Sequence, residues 1–418
     1  MTTTSATQFT IAGKLPGRVE TPTAALDIAE LLAASAEALK AVIPWGGGTQ
    51  QGLGRPPRRY DIALSLIRLE RVIEYAPADM TIQVEAGMTL ADLQTMLARQ
   101  GQYVALESPF PDRATVGGLL AADGAIGPRR AGYGERRDQV IGIGMAHPDG
   151  TLTKAGGSVV KNVTGYDMAK LYVGSLGTLG VITDVTFRLR PFPPTTRTVV
   201  ARFANRAAAL QAVATLRRPP LQPVALDLLS RDPAEAGDAT WTLAAEFAGA
   251  GAAVARQVKE ATELASKAGG DAETLEGEDT AAFWANVRDF GRNPELPHLI
   301  LRMMALPSRL TDMLNALAET AEDAGLPAAS IIAHAASGIV YGYWDSPEGT
   351  AWSGMIAALR ERIGHFRGTV VVEQAHLALS EVYDPWGPTP DSFPIMQGFK
   401  REFDPHHVLN PGRFVGGL

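Results

Sequence analysis

Residues 114–130 read Ala-Thr-Val-Gly-Gly-Leu-Leu-Ala-Ala-Asp-Gly-Ala-Ile-Gly-Pro-Arg-Arg, and residues 173–182 read Val-Gly-Ser-Leu-Gly-Thr-Leu-Gly-Val-Ile. A further glycine loop lies upstream, Pro44-Trp-Gly-Gly-Gly-Thr49. Glycine lets a backbone approach another group closely, and successive N–H groups can then converge on phosphate oxygens. Two such loops suit a ligand with two adjacent phosphates, which makes a dinucleotide the first expectation. Thr115 is placed to cap a turn of helix over Val116 to Ala121, with its free N–H groups expected to face an anion. Neither a P-loop nor a Rossmann fingerprint occurs.

Working outward, Thr23 to Lys40 has helical spacing with Thr23 as its expected cap, and residues before it are expected to be loosely ordered. Ala41-Val-Ile-Pro reads as a strand entering the first glycine loop. Asp61 to Ser65, Thr81 to Gly87 and Val181 to Leu189 read as strands, the latter two by alternation. Thr89 to Gln100 reads as a helix ended by Gly101. Val140 to Met145 reads as a strand with Gly142 and Gly144 on one face, where another group can come close. Tyr166 to Tyr172 reads as a short helix.

Pro191, Pro193 and Pro194 mark a boundary. Beyond it a βαββα order occurs twice, with Thr369 to Glu373 as an extra strand, which predicts one antiparallel sheet with helices on one face. The expected domains are residues 1–194, 195–383, and a C-terminal segment 384–418 returning to the first.

The chain has 418 residues, net charge −7 and no cysteine. The charge argues against a nucleic-acid binder. Without cysteine there is no thiol nucleophile, intrachain disulfide or thiolate-held iron–sulfur cluster. Met1 to Thr10 lacks a basic region and an apolar core, so no secretory signal is expected, and no apolar run reaches membrane-spanning length.

Gly165-Tyr-Asp-Met, Gly174-Ser-Leu-Gly-Thr-Leu-Gly-Val-Ile, Asp404-Pro and Leu409-Asn-Pro-Gly-Arg resemble the vanillyl-alcohol oxidase (PCMH-type) FAD-binding family, in the branch with D-2-hydroxyacid dehydrogenases. Lys161-Asn-Val-Thr-Gly-Tyr-Asp and Gly127-Pro-Arg-Arg are similar to the FAD-binding subunit of bacterial glycolate oxidase. The resemblance implies an α+β chain: a PCMH-type two-part FAD-binding domain plus an antiparallel-sheet cap of double ferredoxin-like type. It implies that Pro44, Trp45, Gly46, Gly47, Gly48 and Thr49, with Thr115, Val116, Gly117, Gly118, Ala121 and Asp123, wrap the pyrophosphate. Gly124 and Gly127 continue that stretch. Pro109, Gly177, Gly180, Val181 and Ile182 would line the adenosine and flavin, and Asn410 would sit near the isoalloxazine. Relatives with covalent flavin carry a histidine in the first glycine loop, so FAD is expected to be non-covalent here.

Catalytic relatives carry H-x-G-D-G-N-x-H followed by G-E-H. This chain has Ser337, Ile339 and Tyr341 at the acidic, amide and second-histidine positions, and Glu373 is followed by Gln374. No metal is therefore expected. His334, Glu373 and His407 remain the candidate catalytic residues, with His334 more readily structural and His407 readily a surface residue beside His406. His376 is placed on the opposite strand face from Glu373. Arg129 and Arg130 could serve a phosphate or an acidic partner, or be solvated.

The resemblance thus implies a subunit of a heteromeric glycolate oxidase or dehydrogenase, relaying electrons or structural. Its partners would be a catalytic FAD subunit and an iron–sulfur subunit, at a cytoplasmic location or peripheral to the inner membrane through those partners. The alternatives are a self-sufficient 2-hydroxyacid dehydrogenase and a flavin-free scaffold.

Overall fold

The computed structural model describes residues 6–124, 126–157, 166–230, 241–292, 298–345, 351–375 and 384–418. The chain divides into two compact units. The first comprises Met1–Ile126, Glu135–Phe192 and Asp384–Leu418, and the second Gly127–Gly134 and Pro193–Tyr383. The short segment Gly127–Gly134 therefore leaves the first unit to pack in the second, which a single boundary near residue 194 does not capture. Arg129 shows why. Its guanidinium holds the buried Glu246 carboxylate at 2.5 and 2.8 Å and lies 5.5 Å from the Trp284 ring centre, so it does not serve a phosphate.

The first unit is built on two main sheets and also holds the two-stranded pair Gln102–Tyr103 and Arg190–Pro191. Strands Arg18–Glu20, Ile62–Ser65 and Val42–Trp45 pair in parallel, with Ile62–Ser65 in the middle. Helix Ala25–Glu37 buries Ile28 and Leu32 in the same core as Val42, Ile62 and Leu64. The helix begins at Ala24 rather than through a Thr23 cap; the Asp27 carboxylate accepts from the N–H groups of Thr23 and Ala24. The N-terminal residues are also more ordered than expected. Arg18–Glu20 is a strand, and Phe9 and Ile11 are buried in a cluster with Trp45.

The second sheet is antiparallel, in the order Val72–Ala76, Thr81–Glu85, Val181–Arg188, Val140–Ala146, Leu152–Gly156. Val181–Arg188 alternates in sequence, yet it sits centrally and is buried on both faces apart from its last residue. Its polar residues are accommodated by small neighbours. A Cβ on Gly144 would meet the Asp184 carboxylate, and one on Gly142 would meet Thr186 Oγ1 at 2.9 Å. These two glycines therefore admit side chains of the next strand. Helices Leu90–Ala98 and Val116–Ala122 pack on this sheet, and Thr89 and Thr115 cap them by accepting from the N–H groups of Asp92 and Gly118. The short helix expected from Tyr166 is confined to Ala169–Tyr172.

The second unit carries an eight-stranded antiparallel sheet. Its first half runs Thr195–Phe203, helix Arg206–Leu216, Ala225–Ser230, Trp241–Gly249, helix Gly251–Lys267, Asp271–Glu276. The second half repeats that order: His298–Met304, helix Leu310–Asp323, Ser330–His334, Ile339–Asp345, helix Ala351–Gly364, Thr369–Gln374. Each half is βαββαβ, so Thr369–Gln374 is the fourth strand of a complete motif. The halves join where Ala225–Ser230 pairs with Ser330–His334. The strand missed from sequence, Asp271–Glu276, is an edge strand with mostly exposed residues, so burial leaves no apolar alternation in it. The four crossover helices share one core with alternate strand residues such as Val199, Leu228, Leu243, Leu301, Ile331 and Val370. Contrary to the one-faced expectation, helix Gly277–Asp289 lies against the other face, where Trp284 donates to Thr198 Oγ1 at 2.9 Å.

Candidate functional site

The first unit contains a pocket walled by three stretches of chain. The first is residues 44–51, the second Thr115 and the helix Val116–Ala122 along its length, and the third the loop 176–182. Asn410 and Arg413 close it. It brings together Pro44, Trp45, Gly46, Gly47, Gly48, Thr49, Thr115, Gly117, Gly118, Ala121, Gly177, Gly180, Val181, Ile182 and Asn410.

The glycines of the first loop have a structural cause. A Cβ on Gly46 would overlap the Thr115 hydroxyl, and one on Gly47 would overlap the Arg113 carbonyl. Gly48 has φ +74°, which disfavours a side chain. The loop is thus pressed against residues 113–115, and its amides are left over. Among the described residues, no acceptor pairs with the N–H groups of Gly46, Gly47, Gly48 or Thr49. A run of unpaired backbone donors beside a pocket is costly unless water or a ligand satisfies it.

The helix start behaves in the opposite way. Val116 N–H donates to Met88 O, Gly117 N–H to Ala86 O and Gly118 N–H to Thr115 Oγ1. The expectation that this turn offers free N–H groups to an anion is therefore corrected: its donors are spent inside the fold. Val116 is fully buried in the core and does not line the pocket. Pro109, Asp123 and Gly124 also lie outside the pocket wall. Asp123 ends the helix in the left-handed region, and Gly124 O accepts from the buried Arg136, which pins the loop. Gly127 falls in the second unit.

The C-terminal segment was legible only in part. Its role is to fasten two pocket walls. Lys400, 1% exposed, donates through Nζ to Asp404 at 2.6 Å, Thr178 O at 2.8 Å and Leu409 O at 2.9 Å. Asp404 in turn accepts from the N–H groups of Val408 and Leu409. Burial pushes the Lys400 ammonium pKa below its usual value, while Asp404 acts to raise it. Asn410, at φ +45°, donates from its amide to Leu176 O at 2.6 Å. Arg413 donates to Gln51 Oε1, Gln51 O and Leu53 O, which ties this segment to the first glycine loop. Sequence reasoning missed Gln51, Leu176 and Arg413 as pocket residues. The one available signal was Arg413 at the end of Asn-Pro-Gly-Arg.

The candidate catalytic residues do not meet at this pocket. His407 is exposed, and burial of part of its ring and nearby Lys400 hold its pKa below the usual value. His334 and Glu373 belong to the second unit, on the sheet face opposite the four crossover helices. There His334 Nδ1 lies 2.9 Å from Asp227 Oδ2. Glu373 pairs with Arg292 at 2.8 Å and Arg302 at 3.2 Å. The Arg292 guanidinium lies 5.5 Å from the Tyr341 ring centre. Burial pushes the Tyr343 phenol up to about 12 and the Tyr341 phenol further in the same direction. Glu373 is engaged by two guanidiniums and His334 Nδ1 by an aspartate, and among the described residues no group of three or more His, Cys, Asp or Glu side chains is placed to hold a metal ion. Tyr341 and Gln374, at the positions where the catalytic pattern has histidines, add no imidazole. His376 lies outside the described residues.

A unit with two main sheets and a glycine-lined pocket, followed by a doubled βαββαβ unit, defines a flavoprotein architecture of the PCMH type. Comparison with known proteins gives the same class. Residues 16–156 match the FAD binding domain model, and residues 192–414 match that of the FAD linked oxidases, C-terminal domain. The chain belongs to the FAD-linked oxidase family. It is 25% identical to the glycolate oxidase subunit GlcD of Bacillus subtilis, over 96% of this chain and 89% of that one. It is 35% identical to the Escherichia coli glycolate oxidase subunit GlcE, over 35% of this chain and 42% of that one. Among solved structures, p-cresol methylhydroxylase superimposes with a TM-score of 0.74 at 16% identity, covering 94% of this chain and 88% of that one, a likeness of fold. No helix among the described residues is long and apolar enough to cross a membrane.

Proposed function

We propose that this chain is a non-covalent FAD-binding subunit of a heteromeric glycolate oxidase or dehydrogenase. A separate catalytic FAD subunit oxidises glycolate to glyoxylate, an iron–sulfur subunit takes the electrons, and the flavin held here relays electrons or braces the assembly. The observation that carries FAD binding is the row of unpaired N–H groups at Gly46 to Thr49 along the pocket. The residues lining the pocket fit the group. Backbone donors and Arg413 suit its diphosphate, and Leu66, Leu176, Val181 and Ile182 suit its rings. FAD supplies two-electron redox chemistry when bound; the chain's own residues hold and orient it. Among the described residues that line the pocket there is no histidine, tyrosine or cysteine, in keeping with the non-covalent link proposed here.

The relay or structural role rests on the second unit, where His334 and Glu373 are committed to Asp227 and two arginines. The likeness to both GlcD and GlcE supports a multi-subunit setting. A self-sufficient 2-hydroxyacid dehydrogenase is the second reading, favoured by Arg292 and Arg302, two guanidiniums of the kind that bind an acid substrate's carboxylate, held near one another by Glu373. Anaerobic addition of glycolate to the purified chain separates them. The proposal expects flavin absorbance that persists; rapid bleaching would establish the second reading.

A further inference from the structure

Arg413 is 2% exposed, and its neighbours are unusual for a buried cation. Nη1 donates to Gln51 Oε1 at 2.6 Å, and Nη2 donates to Gln51 O at 2.7 Å and Leu53 O at 3.0 Å. The longer contacts reach Arg55 O at 3.4 Å and Asn410 Oδ1 at 3.5 Å. Every one of these acceptors is neutral. No carboxylate among the described residues forms an ion pair with this guanidinium. The contrast within the same unit is direct: the buried Lys400 has Asp404, and half-buried Arg55 has Asp384 at 2.5 Å.

Taking a charge out of water without a counter-ion is costly enough to matter against an ordinary protein's narrow stability margin. Five oriented acceptors offset part of that cost but supply no opposite charge. Burial accordingly draws the Arg413 pKa down to about 10, with only Tyr60 acting the other way. The arginine also lines the pocket and is bonded to Gln51 and Asn410, two further lining residues. A buried cation at a pocket wall, its N–H groups all held by neutral acceptors, meets an anion that arrives with the ligand through its fixed charge rather than by donating hydrogen bonds.

We propose that Arg413 is the buried counter-charge for the dinucleotide, neutralised when an anionic group of that ligand occupies the pocket. The inference rests on the FAD reading and deepens it. Two anionic groups of one ligand share this chemistry, the diphosphate and the reduced isoalloxazine. Arg413 is a ligand-binding residue in either case.

The test uses the full-length chain stripped of flavin and compares Arg413→Gln with Arg413→Lys. FAD and ADP affinities are read by fluorescence and calorimetry, and the flavin midpoint potential by anaerobic titration. Arg413→Gln is expected to weaken FAD binding at least tenfold or to lower the midpoint potential, while Arg413→Lys stays within about fivefold of the parent. A parallel loss of ADP affinity assigns the diphosphate. Unchanged ADP affinity with a lowered potential assigns the reduced flavin. Parent-like affinity and potential in Arg413→Gln would overturn the inference. If Arg413→Gln does not fold, Arg413→Lys decides: native circular dichroism with FAD retained supports a charge role, and native circular dichroism with FAD lost overturns it. A parent chain that binds neither FAD nor ADP would instead overturn the FAD reading itself.

Discussion

Two buried sites, one in each unit, treat polar groups in opposite ways. In the first, the amides of Gly46 to Thr49 and the guanidinium of Arg413 line a pocket without a matching anion. In the second, Asp227 meets His334 and Glu373 meets Arg292 and Arg302, so charge is answered within the protein. An unanswered group beside a pocket calls for a ligand, whereas an answered one stabilises its own surroundings. The same distinction separates the two glycine segments of the first unit. Both are glycine-rich, but the donors at Val116 to Gly118 are spent and those at Gly46 to Thr49 are not.

Substitutions can break this contrast. The largest effect is expected at Lys400, which binds two carbonyls and a carboxylate in the dry interior. Lys400→Met strands Asp404 and frees Thr178 from Leu409, so urea unfolding should show a loss of about 3–5 kcal/mol, with loss of FAD. Glu373→Gln leaves two buried guanidiniums without their carboxylate and should cost about 3 kcal/mol. Its FAD affinity should match the parent, and a large drop there would erase the distinction between the units.

Gly47→Ala is a smaller and sharper probe. The new methyl meets the Arg113 carbonyl, so the loop must shift, at about 1–3 kcal/mol, and its amides lose their aim. Equilibrium FAD titration should register a weaker complex. Last, burial holds the pKa of His147 below its usual value. The unfolded chain therefore binds the proton more readily below about pH 6.5, and native stability should fall as pH drops from there. The slope from this group is at most about 1.4 kcal/mol per pH unit, and unfolding curves of His147→Gln should lack it.

The sequence made the fold class legible because its strongest signals are local. The glycine loops, Asn-Pro-Gly and the alternation of Val181–Arg188 are backbone requirements written into neighbouring residues. The edge strand Asp271–Glu276 escaped because an exposed edge imposes no apolar alternation. The docking of Gly127–Gly134 in the second unit escaped because Arg129 finds Glu246 more than a hundred residues away. In the site, glycines announced the pocket, but which loop carries open amides depended on where Met88 O and Ala86 O lie. Pairing of Glu373 with Arg292 and Arg302 was likewise invisible, since it depends on strand register and a loop from another helix.

The most direct test is to purify the full-length chain, titrate it with FAD, and precipitate the complex with acid. The account predicts saturable binding at about one FAD per chain, by the loop Gly46 to Thr49, with all the flavin recovered in the supernatant. A chain that cannot be saturated with FAD, or flavin that stays with the pellet, would contradict it.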